Sequence, residues 1–129
     1  MLTEKDYCDY ETCVALKELG FNTKCHGYYE SLKRCFNTTS IKRCWCNSEV
    51  NDIGIVICPT LYEAQKWLRE EKGIGITIFH NYYHDTREMY YQVELYNTEH
   101  YLKTFGEFSD WTQALSEGIK EAVKVLKEK

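Results

Sequence analysis

The sequence predicts an α+β fold in which three helices pack on a small, mostly antiparallel sheet. Two amphipathic segments carry helix signals, and two runs of alternating apolar residues on either side of a polar loop indicate an antiparallel hairpin. The expected order of elements is a helix, one or two irregular strands, a second helix, three strands and a last helix. Helices grouped on one face of an antiparallel sheet are typical of the α+β class.

The first helix is predicted over residues 4–19. Thr3 and Asp6 have the spacing of a capping box, with Asp in place of the usual Glu. Gly20 can end the helix, because glycine readily adopts the left-handed conformation that follows a last turn. The apolar side chains of this segment wrap a wide arc, so the sequence defines its buried face poorly.

The segment at about 22–52 is less regular, basic and rich in cysteine. Only Tyr28-Tyr29 and Cys35-Phe36 resemble fragments of strands, and a polar turn follows the second. The apolar run 53–57 predicts a short buried strand that ends before Pro59, because proline cannot donate to a ladder of backbone hydrogen bonds.

The second helix is predicted to begin after Thr60. The Thr60 hydroxyl can accept from the backbone N–H of Glu63, while the Glu63 carboxylate accepts from the Thr60 N–H, which is a capping box. Residues 61–68 then place apolar side chains at helical spacing. Gly73 follows the last periodic residue and can end the helix.

Three strands and a last helix are predicted in the second half of the chain. Residues 74–79 and 91–95 alternate between apolar and other side chains and indicate a hairpin, and residues 101–105 can add a third strand before Gly106. Ser109 is a suitable N-cap for the last helix. The apolar residues of that helix recur at steps of three and four, so they form a stripe that can cover the strands. They are Trp111, Leu115, Gly118, Ile119, Ala122 and Leu126.

The composition is that of one globular domain, residues 1–129. Hydrophobic residues make up 43% and charged residues 28% of the chain, close to the average for globular proteins. No apolar run is long enough to cross a bilayer, and the charged start of the chain is unlike a signal peptide. We therefore expect a cytoplasmic protein without a membrane partner, whose seven cysteines remain free thiols.

Three helical stretches carry a resemblance to a group of known proteins. They are residues 6–21, 59–70 and 114–126, and the most specific is the run Pro-Thr-Leu-x-x-Ala-x-x-Trp-Leu-Arg that begins at Pro59. Together they resemble uncharacterised small proteins encoded in phages and mobile elements of gut bacteria. The resemblance implies a setting, a phage or a mobile element, and not a mechanism. The group has no established activity, so the resemblance assigns no functional residue to this chain.

A basic stretch at residues 24–46 suggests a site for single-stranded nucleic acid. It carries five basic residues against Glu30 alone, a local charge of +4 in a chain whose net charge is −4. Cations interleaved with rings are typical of surfaces on which unpaired bases stack. The alternative is a solvated loop that balances an acidic remainder, and we favour that loop over nucleic acid. The candidate residues are Lys24, Lys33, Arg34, Lys42, Arg43 and Trp45.

The same segment holds a candidate zinc site. Cys25, Cys35, Cys44 and Cys46 supply the four ligands that a tetrahedral zinc ion needs. The single residue between Cys44 and Cys46 is a tighter spacing than zinc knuckles use, however, and no second pair matches it. We favour free thiols that are partly buried as small hydrophobic groups, and we expect no cofactor.

No familiar catalytic motif occurs in the sequence. Cys58 is the best candidate for a nucleophile, because it lies just before a predicted helix N-terminus, where the helix dipole favours a thiolate. His80, His84 and Asp85 have a spacing that can bind a metal or move protons, although solvated histidines at a hairpin tip are the plainer interpretation. A thiol-dependent or metal-dependent enzyme is therefore an alternative, and we expect no enzyme activity.

The chain contains eleven tyrosines and three tryptophans, more than a core of this size can bury. Rings with a polar tip are favoured at contacts between proteins. Tyr82, Tyr83, Tyr90 and Tyr96 are expected on the loop or the outer face of the strands, where they can form a docking patch. Ordinary surface tyrosines are the rival interpretation. We therefore expect a small accessory protein that binds another protein or a second copy of itself.

Overall fold

The structure is a computed structural model that describes residues 2–31, 35–39, 43–50, 53–97 and 100–128. The described helices and strands, in chain order, are α1 (Tyr10–Glu18), β1 (Gly27–Glu30), β2 (Cys35–Thr38), α2 (Asn47–Val50), β3 (Ile55–Cys58), α3 (Leu61–Lys72), β4 (Ile74–Tyr82), β5 (Met89–Asn97), β6 (Tyr101–Phe108) and α4 (Trp111–Lys127). They belong to two compact units, Met1–Ala64 and Gln65–Lys129, and α3 begins in the first unit and continues into the second.

The first unit contains an antiparallel sheet with the strand order β2-β1-β3. In the middle of β1, Tyr29 pairs with Phe36 on one side and with Val56 on the other. α1 packs against β3, and its residues Cys13 and Leu16 are fully buried. The strand fragments predicted in the irregular segment are thereby confirmed as β1 and β2.

The first helix begins later than the sequence predicts. The Thr3 N–H does donate to the predicted carboxylate at 2.9 Å, but the element that it caps is a 3-10 turn, Glu4–Asp6. Tyr7 is extended and forms a β-bridge with the residue before α3. α1 then begins after Asp9, whose side chain accepts from the Thr12 N–H at 2.9 Å. The bridge interrupts the helix, because a residue paired with a strand cannot keep helical backbone angles.

A buried amide holds the short helix α2, which the sequence did not predict, against the rest of the first unit. Asn47 is 5% exposed. Its Nδ2 donates to the Phe21 carbonyl at 2.9 Å, and its Oδ1 accepts from the Ile57 N–H at 3.0 Å. Because both partner residues are also buried, one side chain satisfies two backbone groups that lie away from water.

The second unit contains an antiparallel sheet with the strand order β4-β5-β6, and α4 packs against all three strands. Gly118 of α4 lies directly over the sheet. A Cβ atom at this position would be 2.9 Å from the Ile76 side chain and 3.0 Å from the Val93 side chain. At the far strand, Lys103 forms an ion pair with Glu121 of α4 at 2.6 Å. The missing Cβ therefore allows a close approach of helix and sheet.

α3 and α4 are the two helices that the sequence predicts best. The Thr60 capping box forms in both directions, with Glu63 N–H to Thr60 Oγ1 at 3.1 Å and Thr60 N–H to Glu63 Oε1 at 2.8 Å. α4 is capped one residue later than expected. Its N-cap is Asp110 instead of Ser109, and the Asp110 carboxylate accepts from the Gln113 N–H at 3.2 Å.

The α+β class is confirmed, and the strands form two three-stranded antiparallel sheets where we expected one. The strand predicted at 53–57 begins two residues later as β3, and Ile53 is exposed. The organisation as a single domain stays a prediction. Within the described ranges, no helix combines the length and the apolar character that crossing a membrane requires.

Candidate functional site

The hairpin of β4 and β5 extends past the three-stranded part of the second sheet. Tyr91 is the first residue of β5 that pairs on both sides, with His80 of β4 and with Phe108 of β6. Beyond this rung only two strands remain, and they continue for roughly 10 Å. Residues 80–89 are all exposed. We refer to residues 81–90 as the arm.

Backbone and ring contacts hold the arm together. At its tip the Tyr83 N–H donates to the Glu88 carbonyl at 3.0 Å, and the Arg87 N–H donates to the Tyr83 carbonyl at 2.9 Å. The ring centroids of Tyr83 and Tyr90 are 4.6 Å apart. Desolvation and a hydrogen bond to the Glu107 carboxylate raise the pKa of Tyr83. An isolated two-stranded hairpin is only marginally stable in water, so these contacts stabilise the conformation of the arm.

The arm presents side chains on both of its faces. Tyr82 and Met89 lie directly opposite each other on one face and are 50% and 59% exposed. Tyr83 and Tyr90 stack on the other face, because neighbouring residues of a strand point to opposite sides. The arm therefore carries an exposed apolar pair on one face and an aromatic pair on the other.

The four tyrosines of the predicted docking patch do not share one surface. Tyr83 and Tyr90 are in contact, and Tyr82 lies on the opposite face of the same hairpin. Tyr96 pairs with Gly75 at the other end of β5, six residues or about 20 Å from Tyr90. A Cβ atom on Gly75 would lie 2.4 Å from the Tyr96 ring, so this ring covers the strand backbone. The expectation of a single patch is corrected to an arm that includes three of the four residues.

The predicted nucleic-acid residues are only partly within the described ranges. Lys33, Arg34 and Lys42 lie outside them. Lys24 and Arg43 are exposed. The half-buried Trp45 packs against Tyr28, with ring centroids 5.5 Å apart. Since one side of the Trp45 ring is already in contact with another ring, the described part of this segment offers little open aromatic surface for bases.

The candidate zinc ligands do not converge. Cys25 is buried and Cys35 is exposed on the edge strand β2. The Glu49 carboxylate accepts from both the thiol and the backbone N–H of Cys46, each at 3.1 Å, and these hydrogen bonds lower the pKa of Glu49. Cys44 instead contacts the imidazole of His26, with its Sγ atom 3.2 Å from Nε2. Among the described residues, no three His, Cys, Asp or Glu side chains are placed to hold a metal ion.

Cys58, the predicted nucleophile, is completely buried. Its thiol donates to the Cys8 carbonyl at 3.1 Å, and the same oxygen accepts from the Tyr29 hydroxyl at 3.3 Å and from the Cys13 thiol at 3.7 Å. Burial raises the pKa of both Cys8 and Cys13. A thiol in this setting is a packing group that no substrate can reach, so the structure does not support the nucleophile prediction.

His26, Thr39 and Cys44 form a group that resembles a catalytic triad. The Thr39 hydroxyl donates to the Arg43 carbonyl, so its oxygen must accept from the His26 Nδ1–H, 3.2 Å away. This leaves a lone pair on His26 Nε2, which is 3.2 Å from Cys44 Sγ. The sulfur is also 3.6 Å from Nδ1. A sulfur at such similar distances from both nitrogens cannot lie on the lone-pair axis of either one, so the thiol and the base are not aligned for proton transfer.

An open cavity of about 390 Å³ borders this group and is lined by Tyr7, His26 and Phe36, among others. The Tyr7 ring packs on Gly27, where a Cβ atom would lie 3.0 Å from that ring and 2.5 Å from a carbonyl of β3. Sequence reasoning missed this cavity, because its walls come from separate segments and no spacing rule joins them. Gly27, at the start of β1, could have pointed to the cavity, because a residue without a side chain leaves room for the Tyr7 ring.

The two histidines of the predicted hairpin tip have different settings. His80 lies within β4, and its ring centroid is 6.1 Å from that of Tyr91. His84 lies in the turn, 5.7 Å from the Tyr82 ring. Both are exposed. Sequence reasoning grouped both histidines with Asp85 as a candidate site for a metal or for proton transfer. In the structure each histidine contacts a tyrosine ring of the hairpin.

No protein-family model, no curated protein and no solved structure matches this chain. The resemblance to proteins of phages and mobile elements therefore stays a prediction. The site that the geometry favours is the arm, in which sequence reasoning identified the tyrosines and missed Met89.

Proposed function

We propose that this protein acts by binding another protein through the arm and catalyses no reaction of its own. The observation that supports this most is the Tyr82–Met89 pair, which lies on a two-stranded projection and leaves half or more of each residue exposed. Scattered exposed apolar residues are ordinary on protein surfaces. An apolar cross-strand pair on a projecting hairpin is different, because the chain's own core makes no use of it.

The chemistry of the arm indicates the kind of partner. Tyrosine is enriched among the residues that dominate binding energies, because it combines a large ring with a polar tip. The arm and its neighbour β6 carry three acidic residues, Asp85, Glu88 and Glu107, against Arg87 and Lys103, and Lys103 is already paired with Glu121 of α4. A partner with an apolar groove and a basic rim would therefore complement both the rings and the charge.

The alternatives find less support. Trp45, the ring of the nucleic-acid candidate, is partly covered by Tyr28. The Cys44 thiol is out of line with the lone pairs of His26, and Cys58 is buried. In the part of the chain that the structure describes, the arm combines exposed rings, apolar area and charge.

Site-specific photo-crosslinking tests the proposal. A benzophenone amino acid would replace Tyr82 in the arm and, as a matched control, Tyr62 on α3, which is 65% exposed but lies outside the arm. Both variants would be expressed and irradiated in the cells that carry the gene. We expect from position 82 a discrete crosslinked species whose mass differs from that of two copies of the chain, and which is absent from position 62. Identical products, or none, from both positions would contradict the proposal.

The identified partner then permits a quantitative test. Full burial of a Met side chain is worth about 1.5–3 kcal/mol, so Met89→Ala should weaken binding roughly 10-fold to 100-fold. Tyr62→Ser should leave the dissociation constant unchanged. Calorimetric titration gives both values, and equal affinities for the two variants would show that the arm does not contribute to the interface.

A further inference from the structure

β4 is an edge strand that lacks the usual protection against pairing. It is nine residues long, Ile74–Tyr82, and contains no Asp, Glu, Lys or Arg and no proline. The opposite edge, β6, carries Lys103 and Glu107, and the register between β5 and β6 is irregular at two places. Charges and bulges discourage a second chain from adding to an edge. The β6 edge of the second sheet therefore carries features that discourage pairing with another chain, and the described β4 edge lacks them.

Two side-chain hydrogen bonds show which backbone groups of β4 point outward. Gln65 of α3 donates to the Ile76 carbonyl at 2.8 Å. The Tyr82 N–H donates to the side chain of Asn81 at 2.9 Å. Backbone groups alternate in direction along a strand, so the even-numbered residues of β4 face away from β5.

Ile78 and His80 lie between these two satisfied positions. Within the described part of the chain, neither residue has a hydrogen bond on the outer edge. The adjoining positions from Thr77 to Tyr82 are exposed or half-buried. The centre of the edge thus presents a row of backbone donors and acceptors without partners, and its two ends are closed by side chains.

We infer that this edge binds the same edge of a second copy of the chain, in antiparallel register about Phe79. Ile78 of one copy then lies opposite His80 of the other, and each such pair exchanges both of its backbone hydrogen bonds. A two-fold axis at Phe79 places this residue against its own counterpart, so a charge there would meet a like charge. Phe79 is uncharged, and the one histidine of β4, His80, lies opposite Ile78 of the other copy, which makes the strand compatible with its own copy. A strand from a different protein is the alternative occupant, and in that case the wild-type chain on its own would remain monomeric in the measurement below.

Disulfide trapping tests the register. In a Cys35→Ser background, which removes the exposed native thiol, Phe79→Cys places two thiols opposite each other across the axis. Thr77→Cys is the matched control, because it faces residue 81 of the second copy. Under mild oxidation we expect at least tenfold more covalent dimer from Phe79→Cys than from Thr77→Cys. Equal yields, or no dimer from either variant, would overturn the inference.

A second measurement does not depend on introduced thiols. Sedimentation equilibrium over a concentration series should show the mass rising from 15.3 kDa toward twice that value. His80→Pro removes an outward N–H, which an edge strand tolerates, and Phe79→Lys places like charges across the axis. We expect each variant to remain monomeric with an unchanged circular dichroism spectrum. A folded Phe79→Lys variant that still dimerises would refute the inference, and a foreign strand as occupant would leave the wild type monomeric.

This pairing involves the edge of β4 and leaves both faces of the arm open. Loss of the crosslink at Tyr82 would therefore contradict the proposed function without affecting the dimer. Loss of the Phe79 disulfide would contradict the dimer without affecting the partner at Tyr82.

Discussion

Replacement of Gly118 by Ala tests the packing of α4 on the second sheet, because two effects of opposite sign compete. In a helix interior, Ala is favoured over Gly by about 1 kcal/mol. The new Cβ, however, would lie 2.9 Å from Ile76 Cγ2 and 3.0 Å from Val93 Cγ1. Both methyl groups belong to β-branched side chains that are stiff at χ1, so the helix must move away. Overpacking of this kind costs about 1–3 kcal/mol.

The balance predicts a loss of about 0–2 kcal/mol in the free energy of unfolding for Gly118→Ala. Urea denaturation followed by circular dichroism measures this change. Val93→Ala removes one of the two clashing groups, so the double variant should be less destabilised than the sum of the single variants. A gain of about 1 kcal/mol for Gly118→Ala alone, the value expected from helix propensity, would refute the packing described for this contact.

Two further predictions concern the first unit. Burial raises the pKa of Cys8, Cys13 and Cys25 in the folded protein, so the unfolded chain loses these protons first, above about pH 8.5. The contribution of these thiols to the free energy of unfolding is therefore fully present below that pH. It should fall as the pH rises, by up to about 1.4 kcal/mol per pH unit for each thiol. A melting temperature that stays constant from about pH 8 to 10 would disprove this. Asn47→Ala leaves two buried backbone groups unsatisfied and should cost about 2–5 kcal/mol, and a loss below about 0.5 kcal/mol in urea denaturation would show that other groups replace the amide.

The predictions that the structure confirms depend on short-range patterns. The Thr60 capping box and the alternation along β4 each involve residues that are close in the sequence, and α4 follows from apolar spacing over a few turns. The aromatic surplus was likewise a sound reason to expect rings at the hairpin. The pairing register could not be read from composition, so Tyr96 was grouped with residues at the other end of its strand.

The predictions that needed correction depend on long-range contacts. The Thr3 capping signal is satisfied in a 3-10 turn, because a bridge between Tyr7 and Thr60 prevents the helix from starting there. Cys58 was judged by its distance in sequence from a helix start, whereas its packing against the Cys8 carbonyl decides its chemistry. α2 depends on the Asn47 amide, which meets partners 26 and 10 residues away.

The sequence by itself therefore determined the α+β class, the cores of α3 and α4, and the surplus of aromatic side chains. These properties follow from periodicity and caps, which act over a few residues. The tertiary structure alone decided that the strands divide into two sheets, that the β4–β5 hairpin outgrows its third strand, and that β4 is an edge strand of its sheet. Those features depend on which distant segments pair and in which register, and that choice is made by the burial of side chains from the whole of each unit.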